Sequence, residues 1–117
     1  MAFGPPGRLI QMDEMTEAVL AEITQRIVAV SDPQQIILFG SQARGDAGSD
    51  SDFDILVVKD EVESVGTETA RIYRALAGLS TPVDVIVARS DFVQRYRDVV
   101  GTIVRPALRE GKVLYVR

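Results

Sequence analysis

Apolar positions follow two different rhythms along this chain. From Asp13 to Val30, Met15, Val19, Leu20, Ile23, Ile27 and Val30 recur at helical spacing, which predicts a helix with one buried stripe. Ser31-Asp32-Pro33 stops it, because the residue before a proline is pushed out of helical geometry. Ile36-Ile37-Leu38-Phe39 is then wholly apolar and ends at Gly40, the mark of a buried strand. A polar segment to Ser51 separates it from a second strand over about Asp52 to Val58. Lys59 to Ser64 reads as a charged loop, and Thr67 to Ala77 as an amphipathic helix ending near Gly78. Pro82 opens a third strand, Val83 to Val87. Ser90 is placed to cap a further helix, whose stripe runs through Phe92, Tyr96, Val99, Ile103 and Leu108. Gly101 and Pro106 predict a break or kink in it. Gly111 ends the helical region, and Val113 to Val116 form a last strand.

The first two strands are separated by only about a dozen residues, which leaves little room for a parallel crossover. The expected fold is therefore α/β of the α+β type: a mixed β-sheet flanked by helices. The length of 117 residues suits one domain. We expect a single domain over residues 12–117 behind a loose leader over 1–11, where Gly4, Pro5, Pro6 and Gly7 cluster. We expect no second domain within this length.

Composition narrows the chemistry. The chain has no cysteine and no histidine, which removes thiolate metal sites, disulfides and any histidine base. Carboxylates, hydroxyls, lysine or a hard metal must do any catalysis. A net charge of −4 with no basic stripe argues against nucleic acid as a partner. No apolar run approaches the roughly 18 residues of a membrane helix, and the first residues lack a signal peptide's apolar core. The expectation is a cytoplasmic protein without a membrane partner.

Against this background one stretch stands out, LFGSQARGDAGSDSDFDILVV, from Leu38 to Val58. Side chains alternate across a strand, so Asp52 and Asp54 point the same way, roughly 6.6 Å apart along the backbone. Two charges at that distance repel by roughly 2.5 kcal/mol at an effective dielectric near 20. A divalent cation relieves that conflict, and Mg²⁺ commonly combines one or two carboxylates with substrate phosphates. Asp84, amid the aliphatic residues of the third strand, is disfavoured there unless paired. It joins the other two if its strand lies beside theirs. Three carboxylates around two hard metals suit in-line phosphoryl or nucleotidyl displacement. Gly40 lets the backbone approach a ligand, and a helical turn after it, with the Ser41 hydroxyl, would attract phosphate.

Each of these residues also has a plainer role open to it. Asp52 and Asp54 can be a solvated strand start, Asp84 an edge carboxylate near an arginine, Ser41 a helix cap. Arg44 can pair with a nearby aspartate. Asp46 and Asp50 are read as turn residues. Tyr73, Phe92 and Tyr96 are read as core or interface, and Arg95, Arg97, Arg105 and Arg109 as a solvated face.

The ordered combination resembles the signature of the DNA polymerase beta-like nucleotidyltransferase superfamily. Gly40-Ser41 is followed by ten residues and then by Asp52-Phe53-Asp54. GSQARG, SDFD and ILVV resemble its minimal nucleotidyltransferase domains, as do Val83-Asp84-Val85 and the closing REGKVLY. The resemblance covers most of the chain after about Asp13. It implies that Asp52, Asp54 and Asp84 are the catalytic and metal-binding residues for two Mg²⁺ ions, with Asp84 helping to deprotonate the acceptor. It implies that Gly40 and Ser41, with Arg44 in support, bind a nucleoside triphosphate, ATP by family expectation. Minimal members of this kind act as antitoxins of HEPN/MNT toxin–antitoxin pairs. The implied function is transfer of AMP to a hydroxyl, a tyrosine of a helical HEPN-type toxin partner. The alternatives are nucleotidyl transfer to a small molecule, in a homo-oligomer whose interface makes the pocket, or a catalytically silent antitoxin that neutralises by binding alone.

Overall fold

The computed structural model describes residues 14–44 and 52–117. The leader over 1–11 and the turn residues Asp46 and Asp50 lie outside them. The described elements run α1 (Glu14–Ser31), β1 (Gln35–Phe39), α2 (Gly40–Arg44), β2 (Phe53–Lys59), α3 (Val65–Ala75), β3 (Val83–Arg89), α4 (Ser90–Tyr96), α5 (Val104–Glu110) and β4 (Lys112–Val116). The four strands form one sheet in the order β3-β2-β1-β4. β1 is antiparallel to both β2 and β4, while β2 and β3 are parallel. The sheet is mixed, as the short β1–β2 connection requires, and α3 supplies the crossover between the parallel pair.

The two central strands are buried on both faces, which is why they read as unbroken apolar runs. On one face Ile36, Leu38, Phe53, Ile55 and Val57 pack against Leu20, Ile23 and Ile27 of α1 and Ile72 of α3. On the other, Ile37, Phe39, Leu56 and Val58 pack against Val93 of α4 and Val104 and Ala107 of α5. Each fully buried aliphatic side chain contributes about 1.5–3 kcal/mol, so the central strands are the rigid platform of the molecule.

The predicted helix break falls at Gly101, in the turn between α4 and α5. Pro106 breaks nothing: it sits in the first turn of α5, where its missing N–H has no intrahelical partner to lose. Gly111 closes α5 as expected, but for space rather than torsion. A Cβ there would collide with the Ala107 carbonyl and the Ile37 side chain. Ser90 does not cap. The cap position falls to Arg89, and the Ser90 hydroxyl instead lies 2.6 Å from Gln34 Oε1 and 2.7 Å from Asp60 Oδ1.

One buried polar cluster was not anticipated. Glu68 shares the inward stripe of α3 with Ile72 and Leu76, and its side chain is 8% exposed. The Ser31 hydroxyl donates to its Oε2 at 2.5 Å and Lys59 Nζ donates at 2.9 Å. Lys59 also donates to the Ser31 carbonyl, so the cluster ties α1, β2 and α3 together. Burial pushes the Glu68 carboxyl up, but the bonds from Ser31 and Lys59 and the charges of Lys59 and Arg71 outweigh it, and its pKa is lowered. A lowered folded-state pKa stabilises above the unfolded value and is lost as pH falls through the folded one. Thermal unfolding followed against pH should therefore show stability declining below the usual glutamate range. Glu68→Gln should flatten that decline and, at neutral pH, cost roughly 3 kcal/mol by leaving Lys59 without its counter-charge.

Candidate functional site

The predicted site residues gather at one end of the sheet. β1 ends at Phe39 and the chain turns at once through Gly40 into α2. Because β2 runs antiparallel to β1, its first residues return to that same end, and Phe39 is the direct partner of Asp54. Because β3 runs parallel to β2, its start is there too, and Asp54 pairs with Asp84. Directly paired residues on neighbouring strands share a face. Asp54 therefore stands between Phe39 and Asp84, on the face that carries Leu56 and Val58. Asp54 is half-buried and Asp84 exposed.

Asp52 lies one residue outside the strand, which begins at Phe53 rather than at Asp52. It is exposed, and the following residue is anchored by a Phe53 N–H bond of 3.1 Å to the Pro82 carbonyl. That bond joins the chain entering β2 to the chain entering β3, so the segments bearing Asp52 and Asp84 start side by side.

Gly40 is fitted to this corner by torsion and by space. Its φ is +78°, a region that L side chains occupy at a cost. A Cβ on Gly40 would press into Asp54 Oδ2 and lie 3.2 Å from Asp54 Cγ. The Asp54 carboxylate thus rests against bare backbone where β1 becomes α2. Ser41 and Arg44 are placed within α2, beside this corner in the chain.

Among the described residues no three acidic side chains converge into a ready-made metal cage. The pair Asp54 and Asp84, with Asp52 at the strand mouth, still fits Mg²⁺. That ion binds through one or two carboxylates and completes its shell with water and substrate phosphates. The glycine corner against Asp54 leaves backbone, not side chain, facing such a ligand. Arg95, Arg97 and Arg109 are exposed, as expected of a solvated face, while Arg105 is half-buried. Phe92 and Tyr96 form a tilted ring pair with centroids 4.6 Å apart, and Tyr96 packs against the core beneath α4.

A family model described as a nucleotidyltransferase domain matches residues 19–110. The chain belongs to the nucleotidyltransferase domain family. Solved structures share the fold of this nucleotidyltransferase domain. A Sulfolobus solfataricus protein, described provisionally as a nucleotidyltransferase, superposes with a TM-score of 0.61 at 22% identity, over 88% of this chain and 83% of that one. A toxin–antitoxin structure with AMP-PNP gives 0.53 at 21% identity, over 84% and 73%. A toxin–antitoxin pair named MntA-HpeT, with two aspartates changed to glutamate, gives 0.52 at 20% identity, over 86% and 73%. No curated protein matches the chain. No helix among the described residues is long and apolar enough to cross a membrane.

Two structural features escaped sequence reasoning. The Glu68 cluster had a visible signal, a glutamate four residues before Ile72 on one helical stripe. The bond between the Tyr73 hydroxyl and the Val85 amide had none, since its partners meet only across the sheet edge.

Proposed function

We propose that this nucleotidyltransferase domain transfers AMP from ATP to a hydroxyl of a partner protein, a tyrosine of a HEPN-type helical toxin, and acts in the cytoplasm as its antitoxin. The observation that carries the reading is the parallel register that sets Asp54 beside Asp84, with Gly40 bare against Asp54. The fold shared with toxin–antitoxin structures, one of them with AMP-PNP, supports a nucleotide donor and a protein acceptor.

Asp52, Asp54 and Asp84 would hold two Mg²⁺ ions, which when bound neutralise phosphate charge and lower the pKa of the acceptor hydroxyl. Gly40 and Ser41 hold the β- and γ-phosphates, and Arg44 supports that loop. Asp84, exposed at the strand start, takes the proton of the acceptor hydroxyl. The acceptor oxygen forms a bond to the α-phosphorus, the bond from that phosphorus to the bridging oxygen breaks, and pyrophosphate leaves. Asp54, half-buried on the central platform, keeps its place while Asp52 at the exposed mouth meets the incoming nucleotide.

The test is incubation with Mg²⁺ and α-labelled ATP, alone and with the helical protein encoded beside this one, followed by intact mass. The expected result is one adenylyl group on the partner, absent when Asp52 and Asp54 are both changed to Asn. A stable complex with no label would show that the partner is neutralised by binding alone. Label on a small hydroxylated product instead would move the acceptor class.

A further inference from the structure

Tyr73 is placed to act on the carboxylate pair through the backbone. Its residue is 41% exposed on α3, so its hydroxyl could face water, the usual place for a tyrosine's polar tip. Instead it accepts the Val85 N–H at 2.8 Å. β3 is the outer strand of the sheet, and an outer strand has amides with no ladder partner. The amide that Tyr73 takes belongs to the peptide unit joining Asp84 to Val85. On its inner side the same stretch is held in register with Asp54 and Ile55. The backbone that carries Asp84 is thus gripped from both sides, one residue from the start of its strand, where pairing is most easily lost.

Asp54 and Asp84 are acidic residues directly paired on adjacent strands, so the start of β3 must stay against β2 for both to face one cation. We propose that Tyr73 is a positioning residue: its hydroxyl, through the Val85 amide, holds Asp84 against Asp54 and so sets how tightly the pair binds a divalent cation. The proposal rests on the carboxylate assignment made above. Partners that orient a metal ligand from outside the first ring of contacts typically change affinity by about 10–100-fold when removed. Because Tyr73 acts through backbone, the lower end, about tenfold, is the expected effect.

The test titrates the full chain with Mn²⁺ alone, followed by water-proton relaxation, in wild type, Tyr73→Phe and Ser90→Ala. Ser90 is the control, a hydroxyl in polar contact just past the opposite end of β3. The expected result is about tenfold weaker Mn²⁺ binding in Tyr73→Phe and none of this loss in Ser90→Ala. With ATP present, the Mg²⁺ concentration giving half-maximal rate should rise about tenfold while KM for ATP at saturating Mg²⁺ stays. Equal Mn²⁺ affinity in Tyr73→Phe and wild type would overturn the positioning role and leave the carboxylate assignment standing. Absence of Mn²⁺ binding in wild type would overturn the assignment and the proposal with it. Amide hydrogen exchange on wild type gives a check that needs no variant. Val85 should be protected despite its place on an outer strand, and rapid exchange there would also overturn the proposal.

Discussion

Asp54→Asn should abolish nucleotidyl transfer while leaving the domain folded. Asparagine keeps the shape and one acceptor oxygen but loses the charge. The position is central: Asp54 lies on β2 between Phe39 and Asp84, with its carboxylate against Gly40. Charge stabilisation by a bound cation is worth several kcal/mol in such transfers. With each 1.36 kcal/mol counting tenfold, the expected fall in kcat is about 10³-fold. Packing is spared, because Phe53 and Ile55 on the other face carry the core contacts. Scanning fluorimetry should separate the two effects. Mg²⁺ with ATP at about 100 times the dissociation constant should stabilise wild type by about 2.7 kcal/mol. That raises Tm by about 10 °C for a domain of this size, and the rise should vanish in the variant. Activity within tenfold of wild type would remove Asp54 from the metal site.

Gly40→Ala should damage both fold and function. A left-handed φ of +78° costs an L residue about 1–2 kcal/mol, and the added methyl meets the Asp54 carboxylate. Either the turn from β1 into α2 opens or Asp54 moves. A displacement of about 1 Å at a reacting centre can cost about 10²-fold. The expected outcome is a Tm lower by about 10 °C and a transfer rate lower by about 10²-fold. The double variant Gly40→Ala with Asp54→Ala should lose less stability than the sum of the two single variants, since truncating Asp54 removes the carboxylate that the new methyl meets. Strict additivity in thermal unfolding would show that torsion alone, and not the contact, makes glycine necessary.

The candidate site was legible because its parts are short and local. Gly40-Ser41 and Asp52-Phe53-Asp54 flank two apolar runs, and strand alternation alone puts Asp54 opposite Phe53 in direction. The placement of Asp52 was one residue too far into the strand, since pairing with β3 begins only at Phe53. Ser90 was misread for a similar reason. A serine at a helix start can cap or can turn to other partners, and only the nearness of Gln34 and Asp60 decides between them.

What the sequence determined by itself is the set of elements and the family pattern. Helical and strand periods are properties of a few consecutive residues, and unbroken apolar runs such as ILVV already imply burial on both faces. Tertiary structure alone decided that β3 lies parallel beside β2, so that Asp84 meets Asp54. It also decided that Glu68 finds Ser31 and Lys59, and that Tyr73 reaches the Val85 amide. Those are contacts between distant segments, and their geometry depends on which strand neighbours which. No local rhythm of polar and apolar residues carries that information, because strand order is chosen by how whole faces of the sheet and its helices bury one another.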